Sequence, residues 1–194
     1  MRIGVLALQG GVPEHLGHLK RLGIEGRRVR CAADLEGLEG LILPGGESTA
    51  IGSLLAADGM VAALRDFSAY RAVWGTCAGM ILMAREVAGG RPVLSLMDIA
   101  VERNAFGRQL ESFEEPLAVE ALGENRGKPF PGVFIRAPRI ARTGPSARVL
   151  ARLADGTAVA AREGRLLATA FHPELTGDLR FHAFFADLAR GDRP

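Results

Sequence analysis

Cys77 lies in the run Trp74-Gly75-Thr76-Cys77-Ala78-Gly79, a G-x-C-x-G pattern where an apolar strand candidate hands over to a helix. This is the cysteine form of a nucleophile elbow. Small residues on either side allow a turn too tight for side chains, so the sulfur projects at the C-terminal edge of the strand. The positive N-terminal end of the following helix favours thiolate. The Ala78 N–H then points at whatever carbonyl the sulfur attacks. The plain alternative is a small buried core thiol; the paired glycines at a strand–helix junction favour chemistry. A nucleophilic thiol needs a base, and the base needs an orienter. Phe171-His172-Pro173-Glu174 ends another strand candidate. In extended chain, residues i and i+2 share a side, which would bring Glu174 to the His172 ring. Leu43-Pro44-Gly45-Gly46-Glu47-Ser48 is a third feature. Its two glycines let backbone N–H groups approach an oxyanion without obstruction. The same residues also read as a plain turn with Ser48 as helix N-cap.

These features need elements to position them. Apolar runs predict strands at Ile3–Leu8, Arg27–Cys31, Gly40–Leu43 and Ala72–Gly75. Helical spacing predicts helices at Pro13–Leu22, Ser48–Ala57, Met60–Phe67 and Ala78–Ala88. The alternation implies an α/β fold of three layers, a mostly parallel central sheet flanked by helices, of flavodoxin-like type. From about Ile99 the pattern changes to mixed strands: Ile99–Arg103, Leu117–Glu120, Val133–Ile135, Val149–Leu153, Ala158–Arg162 and Leu166–Phe171. Leu179–Ala189 reads as a closing amphipathic helix. With no linker or repeat, residues 1–194 read as a single domain. The glycine turn and the cysteine both follow strands, so both fall at the sheet edge where open α/β sheets bind ligands.

Composition narrows the classes. A chain of 194 residues with 48% hydrophobic and 24% charged residues has enough apolar surface for one sizeable core. The net charge of +2, without a concentrated basic stripe, argues against nucleic acid as partner. Glycine-rich dinucleotide and P-loop patterns are absent, and no apolar stretch reaches membrane-spanning length. The opening MRIGVLALQGG reads as a first strand rather than a secretory leader. Two cysteines suggest no disulfide framework, and Cys31 reads as a core thiol. A cytoplasmic location is expected. Glu14-His15 and His18 form E-H-x-x-H on the first helix, but no further ligands are in evidence and no metal is expected. His182 reads as structural, and the Arg27–Arg30 run as a solvated edge.

Taken together, these motifs resemble the class I, or triad, glutamine amidotransferases. The closest resemblance is to the glutaminase family that serves the two-component pyridoxal 5′-phosphate synthase of vitamin B6 biosynthesis. It is carried by IGVLALQG at 3–10, LILPGGEST at 41–49, GTCAG at 75–79, VERNAFGRQ at 101–109, GVFIRAP at 132–138 and FHPELT at 171–176. The resemblance implies hydrolysis of L-glutamine to L-glutamate and ammonia, with Cys77 as nucleophile, His172 as base and Glu174 as orienter. It implies an oxyanion hole from Gly46 and Ala78 N–H groups. Glutamine would be held by Gly45, Gly46, Glu47, Arg103, Ile135 and Arg136. No cofactor is implied. The implied partner is a (β/α)₈-barrel synthase subunit in a large hetero-oligomer, with Gln9-Gly10 at the junction. Two other readings stay open: a glutaminase serving another synthase, and a catalytically silent regulatory subunit.

Overall fold

The computed structural model describes residues 1–106, 112–123 and 128–191. Its N-terminal half alternates strand and helix: β1 (Arg2–Leu6), α1 (Val12–Arg21), β2 (Glu25–Val29), β3 (Gly40–Leu43), α2 (Ser48–Ala57), α3 (Met60–Tyr70), β4 (Ala72–Thr76) and α4 (Ala78–Met83). β2, β1, β3 and β4 are parallel neighbours in that order. The order reverses between β1 and β3, as in doubly wound sheets. β3 and β4 are buried along their whole length, which is why they read as continuous apolar runs. Ile3, Val5, Ile42 and Trp74 pack on one face with Leu19, Phe181 and Phe185. Leu41, Leu43 and Val73 pack on the other with Ile51, Leu55 and Leu64. β2 is an edge strand with its arginines exposed, as expected; charge there discourages pairing with other chains.

The second half is strand-rich. β5 (Ala84–Ala88) and β6 (Met97–Glu102) are followed by β7 (Ser112–Leu117), β8 (Phe130–Ile135), β9 (Arg139–Thr143), β10 (Arg148–Arg152), β11 (Ala158–Glu163) and β12 (Leu166–Thr169). The closing helix α5 covers Arg180–Arg190. β12 pairs in parallel with β4 and antiparallel with β11, so it joins the two halves of the sheet. β7 and β8 form a separate antiparallel pair.

Several boundaries differ from the sequence reading. Ala84–Ala88 is strand, not the end of a helix. α4 stops at Met83 because the chain at Leu94 and Leu96 donates N–H groups to the Leu82 and Met83 carbonyls. Ala84–Ala88 then pairs in parallel with β6, and tertiary pairing outweighs its helix propensity. The strand expected at Leu117–Glu120 ends at Leu117, and a 3-10 turn begins at Glu120. β9 went unread because Ile140 is its one buried apolar residue, set among polar neighbours. Cys31 is exposed rather than core; it lies past the end of the edge strand, where its N–H bonds Asp34 and starts a 3-10 turn.

The elbow depends on close backbone contact. A Cβ on Gly79 would lie 1.9 Å from the Leu43 carbonyl oxygen. Gly79→Ala should therefore cost about 3 kcal/mol, read as a clear fall in melting temperature. Gly17, inside α1 with open space around a hypothetical Cβ, is the control. Its alanine variant should be neutral or gain up to about 1 kcal/mol.

Candidate active site

Four strand ends converge on one edge. Gln9 follows β1, the glycine turn follows β3, Cys77 follows β4 and His172 follows β12. Each comes from a parallel strand, so each leaves the sheet at its carboxyl end. Cys77 has φ 48° and ψ −104°, an uncommon backbone state for a non-glycine residue. It is held there by its N–H bond to the Thr169 carbonyl at 2.8 Å and by Met80 and Ile81 N–H bonds to its own carbonyl. Its sulfur lies 3.9 Å from the Ile135 carbonyl oxygen. Ala78 is the first residue of α4, so its N–H has no partner within the helix.

His172 is fastened by its N–H to the Val133 carbonyl at 2.8 Å. Its Nδ1 lies 2.8 Å from Glu174 Oε1. The carboxylate can only accept, so Nδ1 carries a proton and Nε2 is left for the Cys77 sulfur across the cleft. The two residues meet by a route the sequence did not indicate. Pro173–Leu175 is a single 3-10 turn, not extended chain. Burial pulls the His172 pKa down, but the hydrogen bonds to Cys77 and Glu174 outweigh it and raise it to about 10. Burial likewise pushes Glu174 up, yet the His172 hydrogen bond and nearby imidazoles hold it below the usual carboxylate range.

The glycine turn is wedged from below. A Cβ on Gly10 would lie 1.9 Å from the Gly45 carbonyl oxygen, and one on Gly45 would lie 2.5 Å from His172 Cε1. The Gly45 carbonyl thus faces Gly10, and in a trans peptide the Gly46 N–H points the opposite way. Gln9 Oε1 accepts the next N–H, that of Glu47, at 2.7 Å. Glu47, not Ser48, is the N-cap of α2: its carboxylate accepts from Thr49 N and Ala50 N. Those backbone bonds, with Arg103 nearby, lower its pKa. Arg103 Nη2 lies 3.3 Å from Glu47 Oε1.

A cleft of about 320 Å³ is lined by Gly46, Glu47, Cys77, Ala78, Arg103, Ile135, Arg136 and His172. Gly45 lies against the His172 ring and Glu174 pairs with it, so the fold brings together the residues named as catalytic, oxyanion-hole and glutamine-binding candidates. Gly107, Arg108 and Gln109 of the 101–109 motif lie outside the described residues. A larger cleft of about 660 Å³ adjoins it through Ser48 and Arg103, and among the described residues no thiol, imidazole or carboxylate lines it. Asn104, with φ 47°, also lines the smaller cleft and was not foreseen. Gln9 was read only as a junction residue, but it also braces the glycine turn. His15 and His18 of the E-H-x-x-H run are buried. Among the described residues, no group of three His, Cys, Asp or Glu is arranged to hold a metal ion, and no helix is long and apolar enough to cross a membrane.

The parallel sheet with this edge is the architecture of the glutamine amidotransferases. Residues 5–189 match the model of the SNO glutamine amidotransferase family, and the chain belongs to that family. It is 56% identical to a curated protein of Deinococcus radiodurans called pyridoxal 5′-phosphate synthase subunit PdxT, over 100% of this chain and 99% of that one. It is 53% identical to the protein of that name from Dehalococcoides mccartyi, over the full length of both. A crystal structure described as a glutamine amidotransferase superposes with a TM-score of 0.90, at 50% identity over 97% of this chain and 98% of that chain.

The His172 environment has a measurable signature. Titrated by NMR, His172 should lose its proton near pH 10 in the intact chain and at lower pH in Cys77→Ala, because Cys77 supplies the leading upward contribution. The raised value stabilises the fold fully below the unfolded pKa near 6.5, and that stabilisation is lost as pH rises towards about 10. An unchanged titration in Cys77→Ala would mean that the sulfur does not bond the ring.

Proposed function

We propose that the chain is the glutaminase of a pyridoxal 5′-phosphate synthase and that Cys77, His172 and Glu174 carry its chemistry. The observation that carries this reading is the His172–Glu174 pair aimed at a strained cysteine in a cleft of amino-acid size. Cys77 sulfur attacks the side-chain amide carbon of L-glutamine. The tetrahedral oxyanion is met by the Ala78 and Gly46 N–H groups, each worth about 3 kcal/mol in such a hole. The C–N bond breaks as His172 gives a proton to the departing ammonia. The γ-glutamyl thioester that remains is hydrolysed by water deprotonated by His172, which releases L-glutamate and returns the sulfur. Glu174 holds the ring in the Nδ1–H form and stabilises its cation. No cofactor takes part.

Glutamine's α-carboxylate suits Arg103 and Arg136, and its α-ammonium suits Glu47. Ile135 acts through its backbone, beside the Gly45–Gly46 turn. The ammonia acceptor is a (β/α)₈-barrel synthase subunit, with which the chain forms a hetero-oligomer in the cytoplasm, where glutamine and sugar phosphates are held. The Gln9-Gly10 segment contacts both that partner and the glycine turn. Docking therefore sets the Gly45–Gly46 peptide and raises turnover.

Glutamate release from glutamine, with and without the synthase subunit, tests this. Release should rise with the synthase and fall to background in Cys77→Ala. Equal turnover in both conditions would remove the docking step, and no release in either would favour a silent subunit.

A further inference from the structure

The chain has four histidines, and the reaction above uses one. The other three are buried, and one of them lies against Glu174. His15, on α1, places its Nε2 3.5 Å from Glu174 Oε2, the oxygen that His172 does not touch. On its other side, His15 Nδ1 lies 2.9 Å from His182 Nε2 on α5. His18 packs tilted against His182 with ring centroids 4.5 Å apart and commits its Nε2–H to the Thr176 carbonyl at 3.0 Å. Trp74 stands edge-on to His15 and His182. His15, His182 and Trp74 have no exposed surface. These rings are locked by packing, and one nitrogen faces the carboxylate that orients His172.

The proton positions follow from the acceptor. With Glu174 ionised, a bare lone pair on His15 Nε2 would face a carboxylate oxygen in a dry site and be repelled. The neutral ring avoids this only as the Nε2–H tautomer. Its Nδ1 is then an acceptor, and His182 Nε2–H is the donor that fills it. Burial favours the neutral form, lowering the His15 pKa to about 4. The charged and titratable groups around His15 are Glu14 and His18 on α1, Glu174 and His172 beyond β12, and His182 on α5.

We propose that His15 is a positioning residue of the reaction: its Nε2–H holds the second carboxylate oxygen of Glu174, and His182 fixes the tautomer that lets it do so. Glu174 is then gripped from both sides, by His172 on one oxygen and His15 on the other. At 3.5 Å the contact is long for a hydrogen bond, and neither atom has another hydrogen-bond partner; catalytic hydrogen bonds often tighten once substrate is bound. The inference rests on the glutaminase reading.

Two measurements test it. In the ¹⁵N-labelled full chain at pH 7, imidazole NMR should find His15 neutral and protonated at Nε2. A His15 protonated at Nδ1, or a cation, would overturn the proposal. With the synthase bound, His15→Leu should lower glutaminase kcat roughly tenfold, leave KM unchanged, and move the acid limb of the pH profile up by about one unit. His15→Gln, which keeps an N–H donor, should recover most of both. A His15→Leu profile that superimposes on wild type, or a glutamine variant no better than leucine, would overturn the proposal. An inactive wild-type complex would instead overturn the glutaminase reading and this one with it.

Discussion

The approach of Gly79 to the Leu43 carbonyl governs the geometry of this edge. It sets the separation between the loop after β3 and the elbow after β4, and no side chain can occupy the gap. β12 pairs with β4 on its other side, so the loop carrying His172 is fixed relative to the same elbow. The Cys77 N–H bond to Thr169 makes that link explicit. Cys77 can hold its strained backbone because the sheet fixes its neighbours on both sides. Strain of this kind is stored where flanking structure over-determines it. Here that structure is three adjacent parallel strands whose side chains are packed on both faces.

A carboxylate as buried as Glu174 would be destabilising if unpaired. The solution is positional. Gly11 lets the chain pass close to the Glu174 carboxylate, and α1 then brings His15 to its far oxygen. Helix α5 closes the pocket with His182, and phenylalanines 181 and 185 pack against Trp74. α1 and α5 thus do more than cover the sheet. They exclude water from the back of the site, so the charge of Glu174 acts on His172 at short range and low dielectric.

The legible parts of the sequence were those set by local rules. G-x-C-x-G at a strand–helix junction marked the elbow, and continuous apolar runs marked β1, β3 and β4. Elements set by distant partners were not legible. β5 has helix-forming residues and becomes a strand only because β6 pairs with it. β9 shows one buried apolar residue and exists because it bridges β6 and β11. The His172–Glu174 contact was anticipated for a reason that proved incomplete: the spacing was right, but a 3-10 turn delivers it. His15 and His182 lie 167 residues apart, and no local pattern could announce that they share a hydrogen bond.

Glu47 links helix, turn and cleft. Both its oxygens cap α2, its N–H is held by Gln9, and one oxygen meets Arg103. Its side chain is 53% exposed and that of Arg103 34%. An ion pair that open contributes little to stability, about 0–1 kcal/mol. On the glutaminase reading, this weakness suits the task. Glutamine's zwitterionic end carries the same two charges, so its ammonium can take the place of Arg103 on Glu47 while its carboxylate takes the place of Glu47 on Arg103. The exchange loses one weak pair and forms two, inside a cleft that substrate itself desolvates. The helix N–H groups keep Glu47 ionised and still, so on that reading the charge proposed to receive the ammonium is already in place before glutamine arrives.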